Sequence, residues 1–382
     1  MPYRFAKTAE LDLLFDWLKL QLEEVRKSNP DHSTILDVLE KEYQAQENKL
    51  ALLHAVLALN DPSFHKRADS FSQDLHRYIV ATSNHYIAGL QCQNAHARRV
   101  RKVLLGICSR LHFDWIKDIL ARLHRDLALL PEYRGNFTIP IFFGPPHLFE
   151  TVLEVAGVYH EVTHSLAARE PTFVREMKAI VHAHFRGLKH QAGPMPPAQK
   201  ELRDKEYDAA AVSWNELWLT EIFCDVFSGY VCGPANLASM LDLGAARGSS
   251  PHLLAQNSHP PNGARFLTCY HALSDQQRQH PTVQKVFDAW QQYCHPFTPA
   301  QDYRLRCSDS LLRAVAEAIN NLIAQRLPDV PRFVKLPPDL TAARTVAAGI
   351  SLEDLVNAGV TMLFEAPGEF PAWQRSTRQF IA

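Results

Sequence analysis

The sequence predicts a mainly α-helical fold with one small β element, an α+β chain in which helices supply most of the core. Three observations carry that expectation. Of 382 residues, 46% are hydrophobic and 21% charged, enough for a large buried interior and two or three domains. Proline outnumbers glycine by 24 to 15, which favours helices broken at defined corners over a turn-rich β protein. Apolar residues recur at three-to-four spacing, while β-branched and aromatic clustering is concentrated in one short segment.

Taken in order, residues 1–131 read as a helical bundle. Leu11, Leu14, Phe15 and Leu18 form one apolar stripe, and Leu39, Tyr43, Leu50, Leu53 and Val56 another. Turn signals at Ser28-Asn29-Pro30 and Asn60-Asp61-Pro62 divide the helices. The run Arg98, Arg99, Arg101, Lys102 reads as a solvated helix face. Between Asn136 and Pro146 the pattern changes to Phe-Thr-Ile-Pro-Ile-Phe-Phe-Gly, which predicts a strand at a sheet edge because proline cannot donate to a ladder. An extended peptide could pair with such an edge over 137–143. Helices are expected over 147–169, 171–188, 209–230, 262–274, 282–294, 308–326 and 351–364, with the Pro-rich stretch 190–200 as a rim or lid. The expected division is therefore 1–131, 132–300 and 301–382.

Several function classes are disfavoured. Lys and Arg total 40 against 41 Asp and Glu, so no global basic field exists to gather nucleic acid, which is not an expected partner. The most apolar run, Asn136–Phe149, is too short to span a bilayer, and no membrane insertion is expected. The N-terminal stretch gains acidic residues early and has no small-residue cleavage site, so it does not read as a signal peptide. Seven scattered cysteines with no CxxC pair suit neither a disulfide framework nor a thiolate metal site, and a cytoplasmic location is the expectation.

The chemistry-bearing motif is His160-Glu161-Val162-Thr163-His164. Four-residue spacing on a helix puts both imidazoles on one face, where they can share one zinc ion with Glu161 beside it. HExxH alone arises by chance in roughly one such chain in twenty, so context decides. A catalytic zinc needs a third protein ligand and an open position. Glu221 and Asp225 are two acids at four-residue spacing in an otherwise apolar helix, and acids rarely bury unpaired. Glu221 is the expected ligand, with Glu216 as the fallback. Asp225 is expected to accept a hydrogen bond from the other ring nitrogen of a ligand histidine. In His259-Pro260-Pro261-Asn262-Gly263-Ala264-Arg265 the prolines start a helix and leave His259 at its edge, placed to hold a donor towards an oxyanion. Tyr230 and Tyr159 are further donor candidates.

In this order and spacing, HExxH, ExxxD and HPPxxxR resemble the soluble core of gluzincin metallopeptidases of the CAAX-prenyl-protease and heat-shock-membrane-protease type, over roughly residues 147–275. The resemblance implies a zincin-like core with helical flanking domains and one zinc per chain. It implies His160, His164 and Glu221 as ligands, Glu161 as general base, Asp225 behind the ligands, and His259 and Arg265 supporting the substrate or the transition state. The implied function is a soluble peptidase that hydrolyses protein or peptide substrates with a zinc-activated water. Members of that group carry transmembrane helices around the site, and none is expected here. The flanking segments are candidates for holding such an enzyme latent. Two alternatives stay open: a binding or regulatory protein on the same scaffold without turnover, and a zinc hydrolase of a non-peptide amide. Glu161 weighs against the first, because a structural zinc site normally closes its fourth position with protein.

Neighbouring residues carry blander readings. His182 and His184 are two apart and face different sides of a helix, so a second metal site is not expected. Ser165 has no free histidine to activate it, and Cys224 and Cys232 read as small buried hydrophobes.

Overall fold

The computed structural model of the chain describes residues 2–59, 65–91, 93, 95–123, 128–130, 140–144, 152, 154–191, 193–247, 250–254, 259–346, 349–377 and 380. Contacts group the chain into two units, residues 1–108 with 113–146, and residues 109–112 with 147–382. The sequence suggested boundaries near 131 and 300. The observed grouping instead joins the β segment to the N-terminal helices and leaves the last eighty residues in one unit with the motif helices.

In the first unit, α1 (Pro2–Ser28) and α2 (Ser33–Ala58) form a hairpin turned at Asn29-Pro30. Leu11, Phe15, Leu18, Leu22 and Val25 alternate by three and four and are buried against Ile35, Leu36, Leu39, Tyr43, Leu50 and Leu53. Leu14 and Val56, read as part of the same stripes, are partly buried. Helix α3 (His65–Ala81) adds Leu75, Tyr78 and Ile79 to that core and continues through a π-helical turn, Thr82–Ile87, into α4 (Ala88–Gln91). Helix α5 (Ala95–Arg110) follows.

The β element has three short strands where the sequence implied one, and one of them lies inside the expected segment. Strands β1 (Leu120–Leu123), β2 (Ala128–Leu130) and β3 (Ile141–Gly144) form one sheet in the order β1-β3-β2. β3 pairs in parallel with β1 and antiparallel with β2, so it is the central strand and not an edge. Pro140 immediately precedes the paired stretch and Pro145 follows it, so neither proline removes a ladder donor from β3. With both edges occupied, β3 cannot accept a peptide strand. The rest of the expected strand, 136–139, and the expected helix start at 147–151 lie outside the described residues.

The second unit contains α6 (Glu154–Arg169), α7 (Thr172–Gln191), α8 (Pro197–Ser213), α9 (Glu216–Cys232), α10 (Pro234–Arg247), α11 (Asn262–Ala272), α12 (Asp275–Arg278), α13 (Pro281–Cys294), α14 (Gln301–Arg306), α15 (Asp309–Arg326), α16 (Leu340–Arg344), α17 (Leu352–Glu365) and α18 (Phe370–Thr377). Helix α9 is the hub and packs against α6, α7, α10, α11, α15 and α17. Twelve of its residues between Trp218 and Cys232 are buried on all sides, as its uniformly apolar composition requires.

The single helix expected over 209–230 is two. Trp214 and Asn215 separate α8 from α9, and the Asn215 side chain accepts a hydrogen bond from Trp218 N at 3.0 Å, an N-cap that starts α9 afresh. The Pro-rich stretch is correspondingly short. Pro197 opens α8, and only 193–196 of the described residues lie between α7 and α8 in irregular structure. Among the described residues, no helix is long and apolar enough to cross a membrane.

Candidate functional site

The site is built on the antiparallel pair α6 and α9. Ser228 Oγ donates to the carbonyl of Ala156 at 2.8 Å, locking the two helices at one end. Four residues along α6, His160 meets Asp225, with Nδ1 to Oδ1 at 2.8 Å, and four further, His164 Nε2 lies 3.5 Å from Glu221 Oε1. Residue numbers rise along α6 as they fall along α9, so each turn of one helix faces a turn of the other.

Glu221 is the point of convergence. Its Oε2 lies 3.4 Å from His160 Nε2 and 3.6 Å from both His259 Nε2 and Arg265 Nη2. The His160 and His164 rings stand 5.0 Å apart at 81°. His160, Glu161 and His164 each offer a ligand atom within 4.8 Å of the others, a grouping able to hold a metal ion. The structure thus brings together His160, His164, Glu161, Glu221, Asp225, His259 and Arg265.

Behind His160, Arg265 clamps Asp225 with two charge-assisted hydrogen bonds, Nε to Oδ2 at 2.6 Å and Nη2 to Oδ1 at 2.7 Å. Asn236 Nδ2 donates to the Asp225 carbonyl at 2.9 Å. The His160–Asp225 contact is close but bent away from a linear N–H···O alignment.

Electrostatics divides the two imidazoles. Burial works against a charge on His160, yet Asp225 and then Glu221 outweigh it and push the ring up to about 10. His164 is pushed down to about 4, first by burial and then by the positive charge on His160. Burial would raise Asp225, but Arg265 and His160 overcome it and hold the carboxyl at about 2. Glu221 is likewise held below its usual value, with His160, Arg265 and His164 prevailing over burial. Both carboxylates are thus held towards the anionic form by the cationic groups around them.

Other residues named from the sequence are placed elsewhere. Glu216 is exposed in the first turn of α9, outside the cluster. Tyr230 lies beneath the Arg332 guanidinium, 5.4 Å from its ring centre. Tyr159 is fully buried, and its hydroxyl is shared by Arg110 Nη2 at 3.1 Å and Glu353 Oε1. Burial first, then nearby Cys232 and Glu353, hold the Tyr159 phenol well above its usual value. His184 Nε2 contacts Ser308 Oγ at 3.3 Å, and Ser165 Oγ donates to the Val162 carbonyl. Cys224 and Cys232 are buried and in no disulfide, with their thiols raised by burial.

Sequence reasoning missed the Arg110–Tyr159–Glu353 cluster and the roles of Ser228 and Asn236. Nothing in spacing signals the first, since Tyr159 and Glu353 are 194 positions apart. No family model, no curated protein and no solved structure matches this chain.

Proposed function

We propose that this protein is a zinc-dependent peptidase of the gluzincin type, with His160, His164 and Glu221 as ligands and Glu161 as general base. The observation that carries this reading is the convergence of both Nε2 atoms on one carboxylate, at 3.4 and 3.5 Å. Ligand atoms about 2.1 Å from a tetrahedral ion stand about 3.4 Å from one another, and the approaches of His160 Nε2 to Glu221 Oε2 and of His164 Nε2 to Glu221 Oε1, one to each carboxylate oxygen, are of that size, which supports this reading. A fourth position remains for water or substrate.

Zinc bound there supplies Lewis acidity, polarising a scissile carbonyl and lowering the pKa of water to about 7. The chain's own residues do the rest. Asp225 faces Nδ1 of His160 and so leaves Nε2 for the ion, while Arg265 fixes the carboxylate that does this. Glu161, beside both ligand histidines, takes a proton from water and returns it to the leaving amine. His259, with its side chain 54% exposed at the edge of the cluster, is placed to donate to the developing negative charge on the substrate oxygen.

Metal content and casein cleavage of wild type, Glu161→Gln and Glu221→Ala test this together. The expected result is about one zinc in the first two, far less in the third, and proteolysis by wild type alone. Zinc retained in Glu221→Ala removes that ligand, and zinc with intact casein in wild type replaces the peptidase with a binding protein on this scaffold.

A further inference from the structure

The start of α11 carries two residues of the cluster. His259 precedes the helix, joined to it through Pro260 and Pro261, and Arg265 lies in its first turn, with its backbone N–H donating to the Pro261 carbonyl at 3.1 Å. Between them, Gly263 is packed against three polar atoms of other segments. A Cβ at this position would fall 2.7 Å from the Tyr303 hydroxyl on α14, 3.0 Å from the Pro251 carbonyl oxygen and 3.1 Å from His252 Nδ1. Gly263 N also donates to the Pro251 carbonyl at 2.7 Å. Unlike Gly233 and Gly349, Gly263 has no positive φ, so space and not backbone conformation calls for glycine here. Tyr303 is 5% exposed, and its ring lies 4.7 Å from that of His252. Among the described residues, neither the Tyr303 hydroxyl nor His252 Nδ1 has a hydrogen-bond partner. A buried hydroxyl without a partner is costly to keep, and what this one meets is the residue of α11 that lacks a side chain.

We propose that Tyr303 is a positioning residue of the peptidase: its hydroxyl is the stop on which Gly263 seats the start of α11, and that seat sets where His259 stands over Glu221. This rests on the peptidase reading above. Arg265 is buried and held by its two-point pair with Asp225, so it is the fixed end of the turn. Proline locks φ near about −65° at 260 and again at 261, so His259 follows the turn as a stiff arm. His259 is also the exposed end, with Nε2 3.6 Å from Glu221 Oε2. A displacement at Gly263 therefore emerges at His259 and not at Arg265. Misplacing a reacting group by about 1 Å costs on the order of 100-fold in rate. A methyl at 263 pushes the turn off the hydroxyl, and loss of the hydroxyl lets the turn settle closer. Each change alone moves His259, and the two together offset one another.

The test compares wild type, Gly263→Ala, Tyr303→Phe and the Gly263→Ala/Tyr303→Phe pair, each also in a His259→Ala background. Two quantities are read: kcat and KM of the zinc-loaded proteins on a fluorogenic peptide taken from a mapped casein cleavage site, and the His259 imidazole NMR signal of histidine-labelled protein, assigned by its loss in His259→Ala. Gly263→Ala should lower kcat about 10- to 100-fold with KM within about 2-fold, and Tyr303→Phe should lower it at least about 3-fold. The pair should recover most of the loss, and the His259 signal should shift in each single variant and return in the pair. In the His259→Ala background none of these changes should alter kcat beyond about 2-fold, because the residue through which they act is gone. An unmoved His259 signal, or the same kcat loss in both backgrounds, overturns the positioning role and leaves the peptidase standing. A signal that shifts and returns in a protein whose zinc-loaded wild type cleaves no peptide overturns the peptidase and leaves the seat. Tyr303→Phe removes only an unpartnered hydroxyl and is expected to fold, which cooperative urea unfolding verifies. Should Gly263→Ala fail to fold, a Tyr303→Phe protein with wild-type kcat and an unshifted His259 signal overturns the proposal by itself.

Discussion

Arg265 and Asp225 form a two-point ion pair in which Nε and Nη2 each hold a different carboxylate oxygen, at 2.6 and 2.7 Å, inside the second unit. The same carboxylate faces His160 Nδ1 at 2.8 Å. One acid thus holds the buried guanidinium of Arg265 and faces the histidine proposed as a zinc ligand. Asp225→Asn strands a buried guanidinium and is expected to destabilise the protein by about 3–5 kcal/mol, read by urea unfolding. Zinc affinity should fall about 10- to 100-fold in chelator competition. Adding Arg265→Met to Asp225→Asn removes the stranded charge, so stability should recover in the double variant while zinc affinity stays low. Parallel recovery of both quantities would mean that Asp225 has no orienting role.

The three candidate oxyanion donors stand in different surroundings, and this separates them. His259 is half exposed and 3.6 Å from Glu221, whereas the Tyr159 hydroxyl is occupied by Arg110 and Glu353 and the Tyr230 ring lies under Arg332. His259→Ala should lower kcat about 10²- to 10³-fold with stability changed by less than about 0.5 kcal/mol. Tyr159→Phe should cost about 1 kcal/mol of stability and leave kcat within a few-fold, since it removes a buried hydrogen bond away from the reacting atoms. Tyr230→Phe should alter neither. A large kcat loss in Tyr159→Phe at unchanged stability would reverse the first two assignments.

Much of the site is legible in the sequence because its logic is local. Four-residue spacing brings His160 to His164 and Glu221 to Asp225, and two acids in so apolar a helix as α9 must have partners. What spacing cannot convey is which side chain meets which across the unit. Arg265 is the partner that ionises Asp225, a pairing forty positions apart. The Arg110–Tyr159–Glu353 cluster, equally long-range, moves Tyr159 off the list of donors. In the fold, the amphipathic stripes of α1 and α2 declare themselves, whereas the break at Trp214-Asn215 lies inside a continuously helix-compatible stretch and depends on one capping amide. The edge placement of β3 failed for a related reason. Pro140 and Pro145 border the paired stretch, and strand neighbours are set by tertiary pairing.

The end of α9 depends on Gly233. Its φ of 59° and ψ of −140° lie in a region open essentially to glycine alone, and a Cβ there would fall 2.3–2.6 Å from three atoms of the Phe333 ring. Gly233→Ala should cost about 2–4 kcal/mol in urea unfolding, strain and overlap together. Gly349 has φ +88° and no heavy atom within 4 Å of the place a Cβ would take, so Gly349→Ala should show strain alone, about 1–2 kcal/mol. Equal losses at the two positions would show that the Phe333 overlap relaxes without cost.

His32, at the start of α2, is 2% exposed, and its Nδ1 is buried without a hydrogen-bond partner. Burial, reinforced by the positive charge of Arg101, lowers its pKa below the ordinary 6.5, while Asp118, itself paired with Arg101, opposes this more weakly. The folded form therefore refuses a proton that the unfolded chain accepts. Its contribution to stability is complete above about pH 6.5 and is lost as the pH falls towards the lowered value, at up to about 1.4 kcal/mol per pH unit. Amide hydrogen exchange of α2, corrected for intrinsic rates, should accordingly show weaker protection at pH 5.0 than at pH 7.5. His32→Phe keeps a ring in the same space and has nothing to titrate, so its protection should change less between the two conditions. If the two proteins lose protection in parallel, His32 is not the group that the fold keeps neutral.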